Sequence, residues 1–244
     1  MSQRRTRTSC LRWAATVAIV AGLSGCGEVS TPGAQAEPRL AIDRASGPIR
    51  PFETDVPRLV VLGDSLTAGL GLEATEAYPA RLQERLDAAG HHVQVVNAGV
   101  SGDTTAGGLR RLEWALGGGA DVLIVALGGN DGLRGLPVDE MKQNLSQIIS
   151  TAKALGVEVL LAGMEAPPNF GEIYTAAFRD VFSQLANGHD VALIPFLLEG
   201  VAGVPDLNQS DGIHPNADGA SRVAEHIWPA VEPMVQRLAI GDGQ

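Results

Sequence analysis

Ser65, Asp211 and His214 are the residues of this 244-residue chain whose types and spacing fit one chemistry. A serine hydroxyl is a weak nucleophile near neutral pH unless a base takes its proton, and the base needs a third group to fix its tautomer. Asp211 and His214 stand three apart in Asp211-Gly212-Ile213-His214-Pro215, so a single turn of chain brings the carboxylate to an imidazole N–H. The second ring nitrogen is then left for Ser65, in Gly63-Asp64-Ser65-Leu66. Such a reaction also needs donors aimed at a developing oxyanion. The backbone N–H groups of Ser65 and Gly102 and the side-chain amide of Asn130 are candidates. Glycine at 102 suits a backbone that must approach a substrate closely, and asparagine at 130 is a neutral donor where aspartate would repel the charge.

Other polar residues have plainer roles open to them. Ser65 also stands where helix N-caps are common. Asp64 is expected to brace its loop, Asp131 to cap a turn and Ser101 to serve a turn. His91, His92, His189 and His226 are read as structural. Met164 and Phe170, which follow a strand, are candidates for lining a substrate pocket, although aromatic residues at helical spacing more often build a core.

The elements that must position these residues alternate. Short apolar runs at Leu59–Leu62, Val93–Val96, Val122–Leu127, Val157–Leu161 and Val191–Ile194 read as strands. Helices are expected from about Tyr78, around Leu109, Leu112 and Leu116, along Met141 to Leu155, near Tyr174–Leu185, and from about Asn216 to Leu238 with a bend at Pro229 or Pro233. Five apolar strands separated by helices mean an α/β fold, a parallel sheet covered on both faces. Ligands bind such sheets at the carboxyl ends of the strands. Gly63-Asp64-Ser65, the 97–103 segment, Gly128-Gly129-Asn130-Asp131 and Asp211 to His214 all follow strands, so glycine and polar residues collect at that edge.

Gly63-Asp64-Ser65, Gly102, Gly129-Asn130-Asp131 and Asp211-x-x-His214 resemble the four blocks of the SGNH, or GDSL, hydrolases. The resemblance covers about residues 59–238. Gly69-Leu70-Gly71-Leu72, Ala166-Pro167-Pro168-Asn169-Phe170 and Asp211 to Asn216 bring it nearest the bacterial thioesterase I, lysophospholipase and arylesterase branch. It implies a three-layer α/β/α sandwich of flavodoxin-like type. It also implies Ser65 as nucleophile, Asp211 and His214 as its partners, and Ser65, Gly102 and Asn130 as oxyanion donors. The substrates implied are small esters, thioesters or lysolipids, with no cofactor and no metal. A carbohydrate acetylesterase would share the same triad chemistry, and a non-catalytic surface lipoprotein would use the cleft only to bind lipid or glycan. No G-x-S-x-G elbow is present, which argues against an α/β-hydrolase. A metallophosphoesterase would need several histidines at strand ends, and only His214 qualifies.

Composition narrows the partners. With 28 acidic and 18 basic residues the formal charge is −10, which argues against nucleic acid. Neither of the two lysines, Lys142 and Lys153, sits in a P-loop pattern. Arg4, Arg5, Arg7 and Arg12 precede an apolar run of 11 residues, Trp13 to Leu23. That is too short to span a bilayer, which takes about 20 residues, and fits a signal segment. Leu23-Ser24-Gly25-Cys26 closes it and resembles the lipobox of bacterial lipoproteins, in which the cysteine is lipidated and becomes the first residue. The expected organisation is a signal at 1–25, a lipid anchor and Pro-rich tether at 26–57, a hydrolase domain at 58–239 and a tail at 240–244. The expected location is extracytoplasmic, on a membrane through Cys26. Loss of the four arginines would take the formal charge to −14 and leave Cys26 as the only cysteine.

Overall fold

In a computed structural model, residues 56–241 are described. The expected signal segment, Cys26 and the tether as far as residue 55 lie outside the described residues. The sheet has five parallel strands: β1 (Arg58–Gly63), β2 (Gln94–Gly99), β3 (Val122–Ala126), β4 (Glu158–Ala162) and β5 (Ala192–Ile194), in the order β2-β1-β3-β4-β5. The three inner strands are the buried ones. Leu59 to Leu62, Val122 to Val125 and Leu160 to Ala162 are without solvent exposure, as strands covered on both faces must be.

Helices α2 (Tyr78–Ala88) and α8 (Ala217–Gly241) pack on one another, and α6 (Val138–Ala154) packs on both α3 (Thr105–Arg110) and α7 (Glu172–His189). Right-handed crossovers produce this division. The step from β1 to β2 runs one way across the sheet and carries α2. The steps from β2 to β3, β4 and β5 run the other way and carry α3, α6 and α7. The direction reverses between β1 and β3, so their carboxyl ends form the switch point where an open α/β sheet binds ligands. Two short helices stand at that edge, α1 (Ser65–Ala68) directly after β1 and α5 (Gly129–Leu133) directly after β3, while α4 (Leu112–Leu116) follows α3 and leads back toward the start of β1, where Gly119 O accepts from Arg58 Nη1.

The last helix runs through both Pro229 and Pro233. Two expectations change. The helix expected around Leu109 to Leu116 breaks at Arg111, whose φ of −107° and ψ of 8° are not helical. β2 is not covered on both faces: it is an edge strand whose Gln94 and Asn97 are exposed. Part of its outer edge is taken up by side chains instead. Gln83 of α2 donates from Nε2 to Val93 O (2.9 Å) and accepts from Val95 N (2.7 Å), and Asn97 Oδ1 accepts from Gly99 N (2.9 Å).

Gly99 brings β2 against the helix that bears Ser65. A Cβ there would lie 2.2 Å from Ala68 N and 2.7 Å from Thr67 C, both backbone atoms. Gly99→Ala should therefore lower the stability of the fold by about 1–3 kcal/mol, the usual cost of overpacking. Urea unfolding monitored by circular dichroism measures it, and an unchanged midpoint would show that α1 yields freely.

Candidate active site

The exit from β1 turns at once into α1. Asp64 is its N-cap, its Oδ1 accepting from Leu66 N at 3.1 Å, and Ser65 is the first helical residue. The capping role open to Ser65 in the sequence thus falls to its neighbour, which leaves the serine hydroxyl unspent on the helix. Asp64 is 3% exposed, and its Oδ2 accepts from Asn130 Nδ2 at 3.1 Å. One carboxylate therefore ties the exit of β1 to α5 at the exit of β3, and it occupies one of the two amide hydrogens of Asn130. Burial pushes the Asp64 carboxyl up to about 6, against the hydrogen bonds from Leu66 and Asn130 that favour its charged form.

His214 arrives on a loop rather than on a helix. Gln209 N donates to His214 O at 2.8 Å, Asn208 and Pro215 form an antiparallel bridge, and Gln209 Nε2 donates to Leu70 O (2.6 Å) and Pro215 O (2.9 Å). Within that loop Asp211 Oδ1 accepts from the N–H groups of Ile213 (2.9 Å) and His214 (3.0 Å), while Oδ2 lies 2.6 Å from His214 Nδ1. The backbone N–H of His214, then that of Ile213, then the imidazole hold the Asp211 carboxyl down at about 2. An ionised carboxylate only accepts, so Nδ1 carries the proton and Nε2 faces the serine as acceptor. Ser65 Oγ lies 2.8 Å from His214 Nε2. The structure thus brings Ser65, His214 and Asp211 into one hydrogen-bonded chain across 149 residues of sequence.

The chain opens on a cavity of about 410 Å³ whose lining includes Ser65, Asn130 and His214 and, among its apolar residues, Leu133, Met164, Ala166, Pro167, Phe196 and Leu198. Met164 thus stands where the pocket reading puts it. Phe170 does not line the cavity. Its ring packs over Gly135 and stacks at a tilt on Tyr174, with centroids 5.4 Å apart. The Pro168–Phe170 turn of 3-10 helix sends the two prolines inward and the phenylalanine away. Gly102 is at the same sheet edge, on the turn after β2, outside the residues that line the cavity. Among the described residues neither the Gly102 nor the Ser65 N–H has an acceptor.

Asp131, expected to cap a turn, instead spends both carboxylate oxygens on Thr105. It is buried, accepting from Thr105 N (2.8 Å) and Thr105 Oγ1 (2.7 Å), and so fastens α5 to α3. His226 Nε2 donates to Phe196 O (2.9 Å), and His189 pairs with Ser146 (2.8 Å) between α7 and α6, away from the cavity. Among the described residues no three His, Cys, Asp or Glu side chains converge as a metal-ligand set. Two residues that sequence reasoning passes over are central to the site's frame: Gln209, described above, and Arg111, whose guanidinium reaches the exits of both β1 and β2. Nothing in the spacing of either signals its contacts.

Asp64 and Asp211 respond to pH in opposite senses. The raised carboxyl of Asp64 binds its proton more tightly in the folded than in the unfolded chain, so its contribution falls as pH rises from about 4 to about 6. The depressed carboxyl of Asp211 contributes above about 4 and loses that contribution as pH falls towards 2. Asp64→Asn should accordingly gain stability relative to the parent as pH climbs from about 4 to about 6. Parallel stability curves for the two proteins would remove the buried carboxylate from the balance.

Comparison with known proteins identifies the family of this fold. Residues 61–222 match the GDSL-like Lipase/Acylhydrolase family. The chain is similar to Esterase TesA of Pseudomonas aeruginosa, 46% identical over 178 residues that cover 72% of this chain and 89% of that one. It is also similar to Thioesterase 1/protease 1/lysophospholipase L1 of Escherichia coli K12, 40% identical over 186 residues covering 72% and 84%. Among solved structures, the psychrotrophic esterase EstA from Pseudoalteromonas sp., inhibited by monoethylphosphonate, superposes with a TM-score of 0.70 at 32% identity, covering 73% of this chain and 98% of that one. This chain belongs to the GDSL-like lipase and acylhydrolase family, the SGNH hydrolases.

Proposed function

We propose that the domain hydrolyses small carboxylic esters or thioesters through an acyl-enzyme on Ser65. The observation that carries this reading is the chain from Asp211 through His214 to Ser65, with distances of 2.6 and 2.8 Å, opening on a cavity with an apolar wall. Ser65 Oγ attacks the carbonyl carbon as its proton passes to His214 Nε2. The ionised Asp211 stabilises the imidazolium that results. The oxyanion of the tetrahedral intermediate takes hydrogen bonds from the Ser65 and Gly102 N–H groups and from the second amide hydrogen of Asn130. Collapse breaks the bond to the alcohol or thiol, which leaves with the proton from His214. Water then attacks the acyl-enzyme by the same route and frees the acid and Ser65. The names of the relatives, an esterase and a thioesterase with lysophospholipase activity, support this substrate range. The apolar wall of Leu133, Met164, Phe196 and Leu198 suits an acyl chain or an aryl group.

The location proposed is extracytoplasmic. Cleavage before Cys26 and lipidation of its thiol would anchor the protein to a membrane, and several acyl chains hold stably where one does not. The Pro-rich stretch to Pro57 would then lie between the anchor and the domain. An acidic chain gains nothing from an anionic lipid surface, so the anchor must supply the attachment.

A fluorophosphonate probe should label Ser65 in the intact protein and leave Ser65→Ala unlabelled; a parent protein that takes up no label would sink the acyl-enzyme. Expressed with its full N-terminus in a bacterium that processes lipoproteins, the chain should sediment with membranes. Cys26→Ser should release it into the soluble fraction, and unchanged sedimentation would rule out Cys26 as the anchor.

A further inference from the structure

Arg111 stands at the break between α3 and α4 and divides its guanidinium among three stretches of chain. Nη2 donates to Gly63 O at 2.7 Å, Nη1 to Ala98 O at 2.7 Å, and Nε to Asp103 Oδ2 at 2.6 Å. Its side chain is only 16% exposed. Gly63 immediately precedes Asp64 and Ser65, Ala98 lies at the end of β2, and Asp103 immediately follows Gly102. A planar guanidinium with donors at fixed angles holds three acceptors in a fixed relation, which a rotating ammonium cannot do.

The turn that carries Gly102 is fixed from other directions as well. Val100 N donates to Gly63 O at 3.0 Å and Asp103 N to Val100 O at 3.1 Å. Gly102 has φ of +83°, a left-handed conformation, and its carbonyl accepts from Arg134 Nη2 at 2.8 Å. The Asp103 carboxylate fills the space beside Gly107, where a Cβ would come within 2.5 Å of Oδ1. Gly63 O is thus shared by Val100 N and by Arg111, so the Ser65 turn and the Gly102 turn are referred to the same atom. The Gly102 N–H is left without an acceptor among the described residues.

We propose that Arg111 is a positioning residue, which sets the Gly102 N–H against the Ser65 turn so that donors from two different strand ends act at one point. The inference rests on the acyl-enzyme reading given above and adds a residue that touches no reacting atom. Oxyanion donors act only at about 2.7–3.1 Å from the charge, and a displacement of about 1 Å can cost about a hundredfold in rate. A residue that fixes the gap between two such donors therefore acts on turnover and leaves substrate affinity alone.

Arg111→Lys tests this, with kcat expressed per active site titrated by a fluorophosphonate. Lysine keeps a charge for Asp103 but cannot reach Gly63 and Ala98 as well. The expected result is full labelling stoichiometry and kcat lowered by about tenfold to a hundredfold. KM should stay within about twofold, and the pH midpoint of kcat/KM should not move, because the Asp211–His214 pair is untouched. A lower melting temperature with kcat per titrated site unchanged would overturn the proposal, and so would a rise in KM at constant kcat. Should the lysine variant fail to fold, Asp103→Ala decides the matter, since it removes the acceptor of Arg111 Nε and leaves the bonds to Gly63 and Ala98 in place. It must lower kcat at constant KM, or the proposal is wrong. Failure of the parent protein itself to label would instead strike the acyl-enzyme reading.

Discussion

A carboxylate buried where two strands end is the interaction on which the site depends. Asp64 gives one oxygen to the first turn of α1 and the other to the side chain of Asn130, and in doing so joins the exit of β1 to the exit of β3. Keeping a nearly inaccessible carboxyl ionised is expensive in the absence of partners, and its raised pKa records that expense. What the arrangement secures is geometry. The serine stands at the start of a helix it does not have to cap, and the amide of Asn130 spends one hydrogen on Asp64 and keeps the other.

The two aspartates of the site divide the labour by environment. Asp64 is buried and braces; Asp211 is half exposed, takes three hydrogen bonds within four residues of chain, and stays ionised to low pH. Two identical side chains would be equally acidic in water; here their surroundings drive them apart. The loop that carries Asp211 and His214 is closed on itself by Gln209 and fastened by the same side chain to Leu70, beside the helix that begins at Ser65. His214 is thereby held without the support of a long helix.

Much of this was legible in the sequence because it is local. A strand of β-branched residues ending in Gly63-Asp64-Ser65 announces both its burial and its exit, and the three-residue spacing of Asp211 and His214 encodes their contact directly. The alternation of strands and helices was enough to give the parallel sheet. What was not legible depends on partners distant in the chain. Arg111 reads as an ordinary charge on a helix until the fold brings Gly63 and Ala98 to it, 48 and 13 residues away. Asp131 reads as a turn residue until Thr105 closes on it. Phe170 was misplaced because the direction of a side chain leaving a Pro-Pro turn is set by the turn's backbone and by the aromatic stack of Tyr174 and Phe178, neither of which apolar spacing reveals.

The closure of β2 by Gln83 has a consequence for how this chain lives among its own copies. An outermost strand is an invitation to any extended segment that passes, and sheets that leave it open tend to grow by stacking chain upon chain. Here the amide of one glutamine imitates a peptide unit, taking up a carbonyl and an N–H in the positions a sixth strand would use. Asn97 occupies a further N–H nearer the site. At its β2 edge the sheet thus ends in a counterfeit neighbour drawn from its own helix, which leaves an approaching chain fewer backbone groups to pair with there.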